Sequence, residues 1–508
     1  MNHDHAEDSA DKDSPDKAHG AALSAVAAAA LVFGAAAAVL VVEIVALRLL
    51  APYFGLTLET STLVIGIALT AIAVGSWAGG RAADTVPPRR ALGPLLGISG
   101  AAVALTPVAV RGAGASGDAG LTLLAAILAI FVPGALLSAV SPMVTKLQLN
   151  NLDETGTVVG RLSGVGTTGA IFGTVLTGFV LVSSVRVSTI LVGLGIVLVV
   201  AAALVDMRIR GWRAAAAPAA VVVLGGLGAV VAPGGCDAET TYHCASVQTD
   251  PDRPSGRVLV LDGVRHSYVD LDDPTYLEFD YVQTIAATVA TAYPAGEPLR
   301  AYHLGGGGLT LPRYLDAVRP GTSSLVSEID SGVVEIDLEE LGLEVGDGIE
   351  VRVEDGRLGL DRLDDDSRDL VVGDAFGGVS VPWHLTTRET VASVRRVLNE
   401  DGVYAANLID HPPLAFARAE VVTLAAVFDY VALAAEPESL AREGGGNLVA
   451  VAADRPIDTR ALSDRIDDLG IGWEVITGDA LDAWCGDAAV LTDDHAPVDQ
   501  LLTPYGTG

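Results

Sequence analysis

Lysine is almost missing from this chain: Lys12, Lys17 and Lys146 are the only ones, and arginine supplies the rest of the 31 basic residues against 63 acidic ones. The net charge of −32 excludes a basic footprint for nucleic acid. A Lys-poor, Asp-rich surface is expected of a protein working in near-saturating salt, where screening cancels carboxylate repulsion, so the composition predicts a halophilic archaeal source. Cysteine is also scarce, with Cys236, Cys244 and Cys485 only, which excludes a disulfide-rich scaffold. Charge is sparse for a chain this acidic, at 19%, while half of the 508 residues are hydrophobic, and that excludes disorder. What remains is a membrane segment joined to an acidic soluble domain.

Residues 1–20 are polar and mixed in charge, with no cleavable signal pattern after them, and read as a disordered acidic tail. Residues 21–233 carry apolar runs of spanning length, near 22–50, 60–82, 90–110, 120–145, 157–183, 187–206 and 214–233, which predicts seven transmembrane helices. Arg81, Arg89 and Arg90, then Lys146 and Arg161, then Arg208, Arg210 and Arg213 fall in alternate loops, whereas the opposite loops hold only Arg48, Arg111 and Arg186. Basic residues accumulate on the cytoplasmic side, so the N-terminus is expected inside and the C-terminal domain outside. That outcome depends on the seventh segment, rich in Ala, Gly and Pro, crossing the bilayer. Glu43 lies deep in the first run, where a carboxylate is costly enough to be a functional candidate, with Arg48 as its partner; orienting the bundle is the plainer role. Gly160, Gly164, Gly169, Gly173 and Gly178 keep one face of the fifth helix small for close packing.

Beyond residue 233 the composition turns Asp-rich and Gly-punctuated. Residues 234–298 read as a β-rich lead-in, with Arg257–Asp262 and His266–Leu271 paired around Gly263, followed by a first helix over Tyr276–Tyr293. Residues 299–508 alternate strands and helices as a doubly wound parallel sheet requires, with strands at 299–304, 323–329, 349–353, 369–372, 402–407 and 447–452. Open α/β sheets bind ligands at the carboxyl ends of their strands. There the chain places Gly305, Gly306, Gly307 and Gly308, then Glu328 and Asp330, then Asp355 and Gly356, then Asp374. Glycines and acids on four consecutive tips, with no phosphate loop, describe a nucleoside pocket. Pro382, Trp383 and His384 follow close to it. Cys236 and Cys244 bracket a short segment and are placed to form a disulfide in an oxidising exterior. His243 between them lacks a fourth spaced ligand, so no metal site is expected.

The ordered set from Arg257 to Asp410 resembles the spermidine synthase family of aminopropyltransferases. The matching residues are Leu261-Asp262-Gly263, Tyr276-Leu277-Glu278, Gly305 to Gly308, Glu328-Ile329-Asp330, Asp355-Gly356, and Asp374 with Pro382, Leu385 and Thr386 downstream. With its helical leader and the closing run Thr492 to Asp499, the whole chain is similar to membrane-fused spermidine synthase-like proteins of haloarchaeal type. The resemblance implies an α-helical membrane domain followed by a Rossmann-like methyltransferase or spermidine synthase fold. It implies that Glu328 holds ribose hydroxyls, that Asp355 meets the adenine amine, and that Asp374 is the base, with decarboxylated S-adenosylmethionine or a related nucleoside as donor.

The chain also departs from the family. Gly308 replaces the acid that grips the aminopropyl amine, Gly377 replaces the second acid after Asp374, His266 stands for a glutamine, and Leu277 stands for the histidine before Glu278. Three readings stay open. The first is an alkyl transferase acting on a small-molecule amine. The second is an outward-facing transferase that moves a membrane lipid to the cysteine of exported lipoproteins. The third is a catalytically silent binding or assembly module. The lipid bilayer is a partner in each.

Overall fold

Long apolar runs without a polar stripe fold as helices that satisfy their backbone internally, and in the computed structural model seven α-helices precede the soluble domain among the described residues. The structure describes residues 23–54, 58–149, 155–182, 185–210, 237–343, 346, 348–377 and 381–503. The helices are α1 (Ala25–Phe54), α2 (Leu58–Thr85), α3 (Pro88–Gly114), α4 (Ala119–Ser138), α5 (Val140–Gln148), α6 (Thr155–Leu176) and α7 (Val187–Arg210). Helices α4 and α5 run on as one apolar unit, so six units among the described residues are long and apolar enough to cross a membrane. The expected seventh span, 214–233, lies outside the described residues. Large apolar side chains point outward from the bundle, with Trp77 63% and Phe179 80% exposed, as suits a lipid-facing surface.

Close approach, rather than a continuous glycine face, organises the bundle. A Cβ on Gly169 would meet Phe33 O at 2.3 Å and one on Gly173 would meet Ala37 O at 2.6 Å, so these two seat α6 on α1. Gly160, Gly164 and Gly178 meet nothing within 4 Å. Helices α3 and α7 are antiparallel: Gly100 packs on Gly195, Gly93 on Asp206, and Arg111 Nη2 donates to Ser188 Oγ at 3.4 Å.

Glu43 and Arg48 make no ion pair with each other. Residues five apart on a helix point about 140° apart, and Arg48 turns instead to the soluble domain. Its Nη2 donates to Thr240 O at 3.0 Å and its guanidinium lies over the Tyr242 ring. Arg111 pairs with Glu239, Ser188 Oγ donates to Glu239 Oε1 at 3.0 Å, and Leu58 N donates to Asp499 Oδ2 at 2.9 Å. The soluble domain therefore docks on one end of the bundle.

Its lead-in is a four-stranded antiparallel sheet, β1 (Ala238–Glu239), β2 (Cys244–Thr249), β3 (Gly256–Leu261) and β4 (Val264–Asp270), larger than the expected hairpin. After helix α8 (Asp280–Ala292) come β5 (Arg300–Leu304), β6 (Ser323–Glu328), β7 (Ile349–Val353), β8 (Arg368–Gly373), β9 (Leu398–Asp410), β10 (Tyr430–Ala435), β11 (Gly446–Ala453) and β12 (Glu474–Thr477). They form one sheet in the order β12-β10-β11-β9-β8-β5-β6-β7. The expected all-parallel sheet is corrected here. Strands β5 to β9 are parallel, but β11 is antiparallel to both β9 and β10, and β12 is antiparallel to β10. The link 436–445 holds only a four-residue helix, too short for the crossover that parallel neighbours need.

Candidate active site

The carboxyl ends of β5, β6, β8 and β9 meet the lead-in sheet around a cavity of about 560 Å³. The glycine turn after β5 is shaped by its neighbours. Gly305 has φ +93, and a Cβ there would meet Asp374 O at 2.4 Å, so only glycine lets the β5 and β8 tips close together. Gly306 N donates to Glu328 Oε2 at 2.8 Å, while Asp330 N donates to Glu328 Oε1 at 2.8 Å. Burial raises the Glu328 pKa, and these two N–H bonds pull it back. Gly308 N is taken up by Ser267 Oγ of β4 at 2.6 Å.

Asp355 caps a short helix, accepting Arg357 N at 3.0 Å and Leu358 N at 3.1 Å, and its Oδ2 meets His384 Nε2 at 2.8 Å. Burial pushes its carboxyl up, but the Leu358 N–H, the His384 contact and the Arg357 N–H together hold it below the ordinary value. Asp374 lines the same cavity. Burial raises its pKa to about 6, although Asn407 Nδ2 donates to Oδ1 at 2.8 Å and Tyr281 OH donates to Oδ2 at 3.2 Å. A carboxylate with a pKa near 6 is suited to taking a proton at neutral pH.

Gly305, Gly306, Gly307, Glu328, Asp355, Gly356, His266, Glu278, Asp374 and His384 all line this one cavity. Three expected ligand-binding residues do not. Gly308 is spent on Ser267. Asp330 is fully buried, accepting Thr240 Oγ1, Tyr242 N and Gly332 N, because it anchors the loop before β2 and caps the helix after β6. Tyr276 donates its hydroxyl to Glu278 Oε2 at 2.6 Å and carries Arg253 on its ring. Sequence reasoning missed Tyr281, Asn407 and Ser267. Tyr281 carried one signal, its place three residues after Glu278.

His243 also lines the cavity. Its Nδ1 meets Asp262 Oδ2 at 2.8 Å, and Asp262 Oδ1 accepts Cys244 N at 2.9 Å. Cys244 is disulfide-bonded, and Cys485 is free and buried; Cys236, the expected partner, lies outside the described residues. No group of residues suited to holding a metal ion occurs among the described residues.

No family model matches the chain. The polyamine aminopropyltransferase of Vibrio vulnificus (strain CMCP6) is 29% identical over 129 residues, which cover 25% of this chain and 43% of that protein. The chain thus spans less than half the length of the curated relative it matches. Among solved structures, a probable spermidine synthase from Corynebacterium glutamicum ATCC 13032 aligns at 27% identity and a TM-score of 0.48, over 50% of this chain and 95% of that one. A spermidine synthase in complex with the transition-state analogue AdoDATO aligns at 16% identity and a TM-score of 0.35, over 53% and 84%. The chain therefore has a polyamine aminopropyltransferase homologue at low identity, and its helical region precedes an α/β domain with a mixed sheet.

Proposed function

We propose that the chain is a membrane-bound alkyl transferase of the aminopropyl type, taking its alkyl group from an adenosyl-sulfonium donor such as decarboxylated S-adenosylmethionine. The observation that carries this reading is the buried Asp374, with a pKa near 6, sharing one cavity with Glu328 and Asp355. The residues present suit such a donor: Glu328 and Asp355 offer carboxylates to ribose hydroxyls and a purine amine, and the glycine turn lets the ligand approach the backbone. Asp374 takes a proton from the acceptor amine. The freed nitrogen lone pair then forms a bond to the carbon next to sulfur, the C–S bond breaks with its electrons going to sulfur, and a neutral thioether nucleoside leaves. Two acids of the family pattern are absent, yet Glu278, Asp280 and Glu436 also line the cavity and supply a field for a cationic amine.

The orientation reading extends this proposal. Helix α7 starts beside Arg111 and Glu239 and ends beside Gly93, so Arg210 and Asp237 lie at opposite ends of the bundle. The C-terminal domain docks at the end of the bundle away from Arg81 and the Lys146–Asp84 pair, which supports an outer position for it by the basic-loop rule.

The experiment is direct. The full chain, purified in micelles, is incubated with decarboxylated S-adenosylmethionine and putrescine, and methylthioadenosine is followed by mass spectrometry. Release of methylthioadenosine together with spermidine supports the proposal. Failure to bind methylthioadenosine at all overturns it and favours the silent module.

A further inference from the structure

The wall of the candidate active site that carries His243 also closes a second cavity, of about 340 Å³, between the bundle and the soluble domain. The end of α1, the end of α3, the start of α7 and the 239–244 loop enclose it. We propose that this junction cavity binds an anionic amphiphile drawn from the bilayer, a phosphate-bearing lipid head whose chains run along the helices.

Charge is the first argument. Arg48 and Arg111 both line the cavity, and Glu239 is the one carboxylate among the described lining residues. Glu239 is engaged by Arg111 and Ser188. Arg48 has a backbone carbonyl and the face of Tyr242 as its direct partners, while Asp330 and Asp262 act on it only from beyond ion-pair distance. One guanidinium thus has no carboxylate in direct contact among the described residues of a mostly apolar enclosure. A charge withdrawn from water without a directly bonded counter-ion is costly, and the planar guanidinium matches a phosphate in two parallel hydrogen bonds.

Depth is the second argument. The cavity sits where three membrane-length helices end, the level of lipid headgroups, and Tyr53, Tyr242 and Arg48 are side chains that favour that level. Leu49, Pro52 and Val187 give it an apolar side facing the bundle. Glu239 Oε2 is buried without a hydrogen-bond partner among the described residues, so a head that also carries a hydroxyl or ammonium group is the better match. Through His243 the seated head adjoins the catalytic cavity. That the amphiphile is itself a reactant rests on the transferase reading; that it binds does not.

The test uses the full chain in micelles and native mass spectrometry, with phosphatidylglycerol, phosphatidylcholine and inorganic phosphate as separate probes. One phosphatidylglycerol is expected per chain. Arg48→Gln should lower its occupancy about tenfold, a loss of one charge-assisted contact. Ala115→Trp, which fills the cavity without touching a charge, should do the same. Equal retention by the wild type and both variants overturns the site. Phosphatidylcholine held as well as phosphatidylglycerol overturns the anionic head, and phosphate competing on equal terms overturns the amphiphile. Methylthioadenosine binding, measured on the same samples, reads the catalytic cavity separately, so failure here is distinguishable from failure of the transferase reading.

Discussion

Replacing Asp374 by asparagine separates catalysis from stability. The carboxyl has its pKa raised by burial from 3.8 to about 6. Such a raised carboxyl favours folding below its unfolded pKa, and that contribution is lost as pH rises through about 6, so at pH 7 the folded protein carries the full cost of the buried charge. For a carboxyl raised this far that cost is about 3 kcal/mol. Asp374→Asn removes the charge and keeps the shape. Part of the gain is returned, because Asn407 Nδ2 and Tyr281 OH both donate to the present carboxylate and an amide offers only one acceptor oxygen. A net stabilisation of about 1 to 2 kcal/mol at pH 7 remains after one neutral hydrogen bond is lost, and it should vanish below pH 4. Activity should fall about a hundredfold to ten-thousandfold, the usual cost of removing a positioned base. The assay pairs methylthioadenosine release with a thermal melt at pH 4 and pH 7. A variant that keeps activity within a few-fold refutes the base; one that is inactive but less stable at pH 7 refutes the burial argument.

Wild-type kcat should rise with pH through about 6 and level off above it, since only the ionised Asp374 accepts a proton; a flat profile from pH 5 to 8 would count against that role. Gly305→Ala should weaken methylthioadenosine binding at least tenfold by calorimetry, because its Cβ collides with Asp374 O and a side chain at φ +93 adds about 1–2 kcal/mol of backbone strain. Asp493→Asn should loosen the paired contacts to Arg357 Nη1 and Nη2 at 2.7 and 2.6 Å, raising the donor's KM several-fold with less change in kcat. Protease added to intact cells should release the soluble domain, and protection until lysis would place it inside.

The strand tips were legible because apolar alternation stops at glycines and acids, and His303 to Gly308, Ser327 to Asp330 and Gly373-Asp374 each mark such a stop. Strands β10 and β12 were not expected. Tyr430–Ala435 reads YVALAA, a short apolar run that periodicity alone cannot divide between strand and helix. Tyr281 and Asn407 reach Asp374 across 93 and 33 positions of chain, and no local pattern reports such a meeting. Asp330 shows the converse error. Its place two residues after Glu328 suggested the ligand, but its oxygens are claimed by the 240–242 loop, which comes from far upstream in the chain.

That same loop joins the two halves of the molecule. On one side Glu239 and Thr240 are held by Arg111 and Arg48 of the bundle. On the other, Thr240 and Tyr242 are held by Asp330, whose own N–H donates to Glu328, and His243 and Cys244 are held by Asp262. A short chain of hydrogen bonds and ion pairs therefore runs from α1 and α3 to the carboxylate at the tip of β6. Each link is buried or half-buried, where polar contacts are stronger than in water and costly to leave unmade. The apolar helices are thus more than a tether: they hold the 239–244 loop, whose His243 forms part of the wall of the cavity that contains Glu328.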